Sequence, residues 1–156
     1  MSAAKTPATL PEKKNYPGET ATPEQILELA EEYRAAAKAT RTQHRANIPH
    51  SLAPCRFLAS HAIELYLNAF LRKTGRKPEY VRGMQHNFAL RAQESKDAGL
   101  VLREKTFAHL SKMKDDQEYL TTRYGAEGFP TVTQINRLLA TVAELSGKVR
   151  AAVHGV

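Results

Sequence analysis

A run of basic side chains is the first place in this sequence where chemistry can be expected. Residues 72–82 contain five bases and one acid, and such an excess predicts a surface that binds phosphate groups. Bases at the carboxyl end of a helix also compensate its dipole, although the density of bases here is hard to explain by the dipole alone. The candidate phosphate-binding residues in this run are Arg72, Lys73, Arg76, Lys77 and Arg82. Arg91, further along the chain, is grouped with the same basic surface.

A second candidate lies later in the chain, where Arg123 precedes Tyr124. A guanidinium can bind a phosphate and an adjacent ring can stack on an unpaired base. The alternative is structural, because the same pair can tie the loop over residues 124–130 to the rest of the domain.

Composition limits the classes of protein to which the chain can belong. A length of 156 residues suits one domain with a substantial core, and the net charge is +7. The single cysteine, Cys55, excludes an internal disulfide, and the six histidines lack metal-ligand spacing, so we expect no metal and no cofactor. No stretch approaches the roughly 18 apolar residues of a membrane span, and the N-terminus lacks an apolar signal core. We therefore expect a cytoplasmic protein that does not enter the membrane.

The positions of apolar residues and helix caps predict the elements that hold these candidates. Residues 1–20 contain three prolines and no apolar periodicity, which predicts a flexible N-terminal arm before a single helical domain over residues 21–156. The first helix begins after Thr22 and has Ile26, Leu29 and Tyr33 among its predicted inward residues.

Helical spacing of apolar residues predicts about five helices, which cover residues 22–45, 51–73, 87–98, 103–120 and 131–154. Residues 76–85 are expected to be a connector. The last helix has one apolar stripe over residues 132–153 and a capping pattern that begins at Thr131. The second helix is apolar around almost its whole circumference over residues 57–71, which is typical of a central helix packed on several sides. Its one acid, Glu64, needs a polar partner if it is buried. Because the connectors are short, the expected fold is an all-α antiparallel bundle.

The central helix carries a family resemblance. Residues 62–71 read Ala-Ile-Glu-Leu-Tyr-Leu-Asn-Ala-Phe-Leu and are followed by Gly75. This resembles the second helix of HEPN domains, Ala-x-Glu-Leu-x-Leu-Lys-Ala-x-Leu, with Asn68 in the place of lysine. His86 with Asn87 is similar to the His-Asp pair that opens the family's third helix. Arg123 with Tyr124 resembles the Arg-Tyr element before the last helix, particularly in members paired with nucleotidyltransferases. The resemblance covers about residues 51–151.

The resemblance implies a bundle of four or five helices that is commonly a homodimer. Catalytic HEPN proteins are metal-independent ribonucleases. Their active-site motif is an arginine followed, after four to six intervening residues, by a histidine, so the resemblance also implies where catalysis would lie. The arginine holds the phosphate and the histidine transfers protons. On the last helix this chain has Arg150 and His154, which are separated by three residues only. Arg103 and His109 have the family spacing, at the start of the fourth helix.

Each histidine or arginine in these pairs also has a structural interpretation. His154, near the end of a helix, suits a dipole partner, and Arg103 with His109 can be two solvated side chains. Arg45 with His50 and Arg56 with His61 also have the family spacing but lie in the wrong part of the fold. His86 is expected to cap or orient the turn before Asn87.

Three hypotheses for function remain. The favoured ones are a non-catalytic module that binds RNA or a nucleotide through the basic segment and Arg123, and a protein-interaction subunit. That subunit would be, for example, the companion of a nucleotidyltransferase in a toxin–antitoxin pair. The alternative is a metal-independent ribonuclease that uses Arg150 with His154 or Arg103 with His109.

Overall fold

The computed structural model describes residues 15–127 and 134–156, and both ranges are all-helical, which confirms the predicted fold class. None of the helices in these ranges is long and apolar enough to span a membrane. A short 3-10 helix, Pro49–Leu52, precedes the second α-helix. The α-helices of the two ranges are α1 (Pro23–Arg41), α2 (Ala53–Lys73), α3 (Pro78–Gly83), α4 (Phe88–Asp97), α5 (Glu104–Asp115), α6 (Glu118–Tyr124) and α7 (Ile135–His154).

Helix α2 is the centre of the fold. It contacts α1, α3, α4, α6 and α7, and Ile63, Tyr66 and Leu67 on it are inaccessible to solvent. A helix surrounded by others must be apolar on most of its circumference, because each face loses its water. The prediction of a central helix over residues 57–71 is therefore confirmed.

Helix α1 begins as predicted, and Ile26 and Tyr33 pack against the core as expected. The Thr22 hydroxyl accepts a hydrogen bond from the Gln25 amide at 3.1 Å, and the Gln25 side chain accepts one from the Thr22 amide at 2.9 Å. The residues buried against α2 include Ala30 and Ala37, whose small side chains let the two helices approach closely. Leu29, predicted to point inward, is 48% exposed, so that prediction was wrong.

Two other predicted boundaries differ from the structure. The fourth predicted helix is two helices, α5 and α6, because the backbone of Gln117 takes a left-handed conformation with φ of 50°. This bend places the fully buried Glu118 near Arg56 of α2. Burial lowers the pKa of Arg56, and the negative charge of Glu118 opposes that shift. The connector predicted over residues 76–85 contains the short helix α3.

The last helix confirms the predicted apolar stripe. Its buried residues include Leu138, Leu145 and Val149. It begins at Ile135 after Gln134, and Thr131, which was expected to cap it, lies outside the described residues. The predicted arm over residues 1–20 is described only from residue 15, so the predicted division of the chain stays a prediction.

A shared carboxylate joins α1, α2 and α7. Glu31 accepts hydrogen bonds from the Tyr66 hydroxyl at 2.8 Å and from the Ser146 hydroxyl at 2.7 Å. Burial favours the neutral acid, but these two bonds and the Arg34 charge outweigh it and lower the Glu31 pKa below its usual value. The three central elements of the bundle are thereby joined by a polar contact as well as by the core.

A second polar contact lies between α5 and α7. His109 is 4% exposed, and its Nδ1 lies 2.7 Å from the Thr141 hydroxyl. Burial, assisted by the nearby Arg137 and Lys112 charges, lowers the pKa of His109 to about 4. At neutral pH the imidazole is therefore an uncharged part of the core.

We expect His109 to make the fold acid-sensitive. Below pH 6.5, the ordinary pKa of histidine, His109 binds a proton in the unfolded chain but stays unprotonated in the folded chain down to about pH 4. The free energy of unfolding therefore falls as the pH drops from 6.5 to 4. The full loss is about 3 kcal/mol. The measurement is urea unfolding across this pH range. His109→Gln should flatten the pH dependence in this window, whereas the exposed His154→Gln should leave it as in the unchanged protein.

Candidate functional site

A groove of about 1090 Å³ opens beside the central helix. One side is formed by residues 16–21 and the first turns of α1, and the other by α3 and the turn that leads into α4. Helix α2 forms its floor. A groove of this size can hold a small organic molecule or a few residues of a polymer.

The floor of the groove is a polar stripe on an otherwise apolar helix. Residues 61, 64, 68 and 72 recur at intervals of three and four, so they share one face of α2. All four line the groove. They are His61, Glu64, Asn68 and Arg72. This stripe is visible in the sequence as the one interruption of the apolar circumference, and the sequence-based prediction did not use it.

The buried guanidinium of Arg91 holds this floor in place. Its Nε donates to the Asn68 side-chain oxygen at 2.8 Å, and one of its terminal nitrogens lies 3.5 Å from the Glu64 carboxylate. Its two terminal nitrogens also donate hydrogen bonds to backbone carbonyls, one to Gln85 and the other to Val81 at 3.3 Å. Arg91 is 2% exposed, so it does not belong to the basic surface with which it was grouped. That part of the prediction was wrong, because Arg91 is the internal partner that Glu64 was expected to need.

His86 completes the cluster from the turn before α4. Its Nδ1 lies 3.2 Å from the second oxygen of Glu64, and its ring stacks on Tyr119 with 4.5 Å between centroids. Asn87, and not His86, caps α4, since its side chain accepts from the Leu90 amide at 3.0 Å. Within the described ranges Nε2 of His86 has no hydrogen-bond partner. A carboxylate that orients one imidazole nitrogen leaves the other available to bind a ligand or exchange a proton.

The second imidazole of the groove, His61, differs from His86 in its surroundings. The ring meets the edge of Tyr33 at 4.5 Å. Burial lowers the pKa of His61, while the Glu64 charge opposes this shift and the charges of His86 and Arg123 add to it. The groove thus combines an uncharged imidazole at neutral pH with arginines that can bind an anion.

The predicted basic cluster divides into two sets. Arg72 and Arg82 line the groove. Lys73 pairs with Glu24 at 3.6 Å and Arg76 with Glu94 at 3.5 Å, so both already have an acidic partner. Lys77 is exposed at the start of α3 and is not part of the groove wall. The structure brings two of the five together.

Arg123 and Tyr124 end α6 and form an exposed platform. The Arg123 guanidinium lies 5.7 Å from the centre of the Phe57 ring and 5.0 Å from that of Tyr124, whose hydroxyl accepts from it at 2.9 Å. Because the Phe57 ring also stacks on His61, with 6.5 Å between centroids, the platform lies at that end of the groove. The pair contacts the bundle through Phe57 and leaves Tyr124 70% exposed, so the binding and structural interpretations both stay predictions.

The two Arg/His pairs predicted for catalysis lie outside the groove wall. Arg150 and His154 are both exposed at the end of α7. Arg103 is exposed ahead of α5, whereas His109 is buried against α7. In the part of the chain that the structure describes, no three His, Cys, Asp or Glu side chains converge on a point where a metal ion could bind.

Comparisons of the chain with protein families, with curated proteins and with solved structures found no match.

The stability of the groove floor should depend on the Arg91 charge. Arg91→Met removes the partner of a carboxylate that is largely buried, and we expect a loss of about 3 kcal/mol in the free energy of unfolding. Arg72→Met, which removes an equal charge from the same groove, should change it by less than about 0.5 kcal/mol. Urea unfolding of both variants at pH 7 measures the difference. Equal effects would contradict the central role given to Arg91.

Proposed function

We propose that this protein binds single-stranded RNA or a nucleotide in the groove, as a non-catalytic helical module related to HEPN domains. The observation that carries the proposal is the polar stripe on α2. A helix at the centre of a bundle is expected to be apolar on every face, but α2 presents His61, Glu64 and Arg72 to an open groove. Polar side chains that converge on a groove favour ligand binding there.

Charge and aromatic side chains support RNA as the ligand. The chain has a net charge of +7, and Arg72 and Arg82 line the groove, where a guanidinium can bind a phosphate. The Arg123 platform offers exposed rings, Phe57 and Tyr124, on which unpaired bases can stack. A duplex hides its base faces, so this combination favours a single strand.

The expected partners of the module rest on the resemblance alone. A homodimer, a nucleotidyltransferase partner and a toxin–antitoxin context are typical of the proteins that this sequence resembles, and each stays a prediction. They become the leading hypotheses if RNA binding is absent at low salt.

A salt titration of binding to a short, unstructured, fluorescently labelled RNA tests the proposal. With Arg72, Arg82 and Arg123 each neutralising one phosphate, the logarithm of the affinity should fall with the logarithm of salt concentration with a slope of about −2. The double variant Arg72→Ala, Arg82→Ala should reduce the slope by roughly 1.4. Lys105→Ala, which removes an exposed charge from α5, is the matched control and should lower the affinity little.

The ribonuclease alternative is tested with the same RNA in the presence of EDTA. We expect the RNA to stay intact. Cleavage that disappears in His154→Ala would contradict the non-catalytic proposal and support Arg150 with His154 as the site. His109→Ala tests the other pair, provided that circular dichroism shows the variant to be folded, because His109 is also part of the core.

A further inference from the structure

One wall of the groove is formed in part by the segment that precedes α1. Residues 16–21, which we call the strap, contribute Tyr16, Pro17, Gly18, Glu19 and Ala21 to its wall. The capping box of Thr22 anchors the end of the strap to α1. The strap therefore shares the groove with the polar stripe on α2 and with Arg82 on α3.

The hydrogen bonds of the strap are local. The Glu19 amide donates to the Tyr16 carbonyl at 2.9 Å and the Ala21 amide to the Gly18 carbonyl at 3.3 Å, while the Glu19 carboxylate accepts from the Tyr16 amide at 3.0 Å. Gly18, with φ of 87°, provides the left-handed backbone that this tight turn requires. The strap is thus a turn whose described hydrogen bonds lie within it, so a contact with the opposite wall is what can hold it across the groove.

One contact joins the strap to the opposite wall of the groove. The Arg82 guanidinium lies over the Tyr16 ring, 4.5 Å from its centroid, and the ring remains 56% exposed. An arginine stacks on an unpaired base in the same way as on a tyrosine ring. Tyr16 therefore occupies the face of Arg82 that a bound base would use.

We propose that the strap is an autoinhibitory element that closes the groove in the unliganded protein, with the Tyr16 ring in the place of an unpaired base on Arg82. The inference rests on the proposed function, since it names how RNA binding in the same groove is restrained. An exposed cation–π contact of this type shifts an equilibrium by about two- to fivefold. The contact between Tyr16 and Arg82 is therefore strong enough to lower the affinity for RNA and weak enough for RNA to displace the strap.

Affinities of Tyr16 variants for the labelled RNA test the inhibitory role. Tyr16→Ala should bind about two- to fivefold more tightly than the unchanged protein, and Tyr16→Phe, which keeps the ring, should bind with unchanged affinity. Tyr80→Ala removes an equally exposed tyrosine from α3 that does not line the groove, and its affinity should not change. Unchanged affinity in Tyr16→Ala would overturn the autoinhibitory role of the strap. Weaker binding would overturn it too, since the ring would then be a stacking surface for RNA.

Amide hydrogen exchange tests the closed strap without any ligand. In Arg82→Ala the turn loses the contact that holds it against α3 and should open more often, so the amides of residues 16 and 18–21 should exchange about two- to fivefold faster than in the unchanged protein. Lys105→Ala should have no effect. Unchanged exchange would show that Arg82 does not hold the strap and would overturn the inference by itself. RNA binding that is absent in every variant contradicts the proposed function and the inhibition together, whereas normal binding with equal affinity in Tyr16→Ala contradicts the strap alone.

Discussion

The burial of one guanidinium organises the functional side of this protein. Arg91 loses almost all contact with water, and the loss is compensated by the Glu64 carboxylate, the Asn68 amide and two backbone carbonyls. These partners come from α2, from the end of α3 and from the turn before α4. The contact therefore joins three segments and determines where the groove lies. It also explains why asparagine at position 68 suits this chain, because a lysine there would place a second positive charge against Arg91.

The same carboxylate connects this internal contact to the groove. One oxygen of Glu64 meets Arg91, and the other meets His86. His86 is thereby oriented by a group that is itself held from inside the bundle, which is the arrangement that gives a binding side chain a defined position. Arg82 is restrained differently, by the exposed ring of Tyr16. The groove thus has a rigid floor and a displaceable edge.

The fold was predicted in outline because its strongest signals are local. The apolar circumference of α2, the stripe on α7 and the cap at Thr22 all act within one helix, and each is where it was expected. The errors arise from contacts between helices. Gln117 adopts a left-handed conformation where helical spacing continues, and Leu29 is 48% exposed although it shares its helical spacing with Ile26 and Tyr33, which pack against the core. Neither follows from the order of residues along one helix.

The candidate site shows the same division between local and tertiary causes. The sequence by itself determined that the chain is helical, that α2 is its centre, that the bases cluster after it, and that Glu64 needs a partner. Only the tertiary structure decided which bases remain available, since Lys73 and Arg76 meet acids from α1 and α4, and Arg91 turns inward. The reason is physical: the secondary structure of a helix depends on neighbours within one or two turns, whereas the burial and pairing of a charge depend on segments that are distant in sequence and adjacent only after folding.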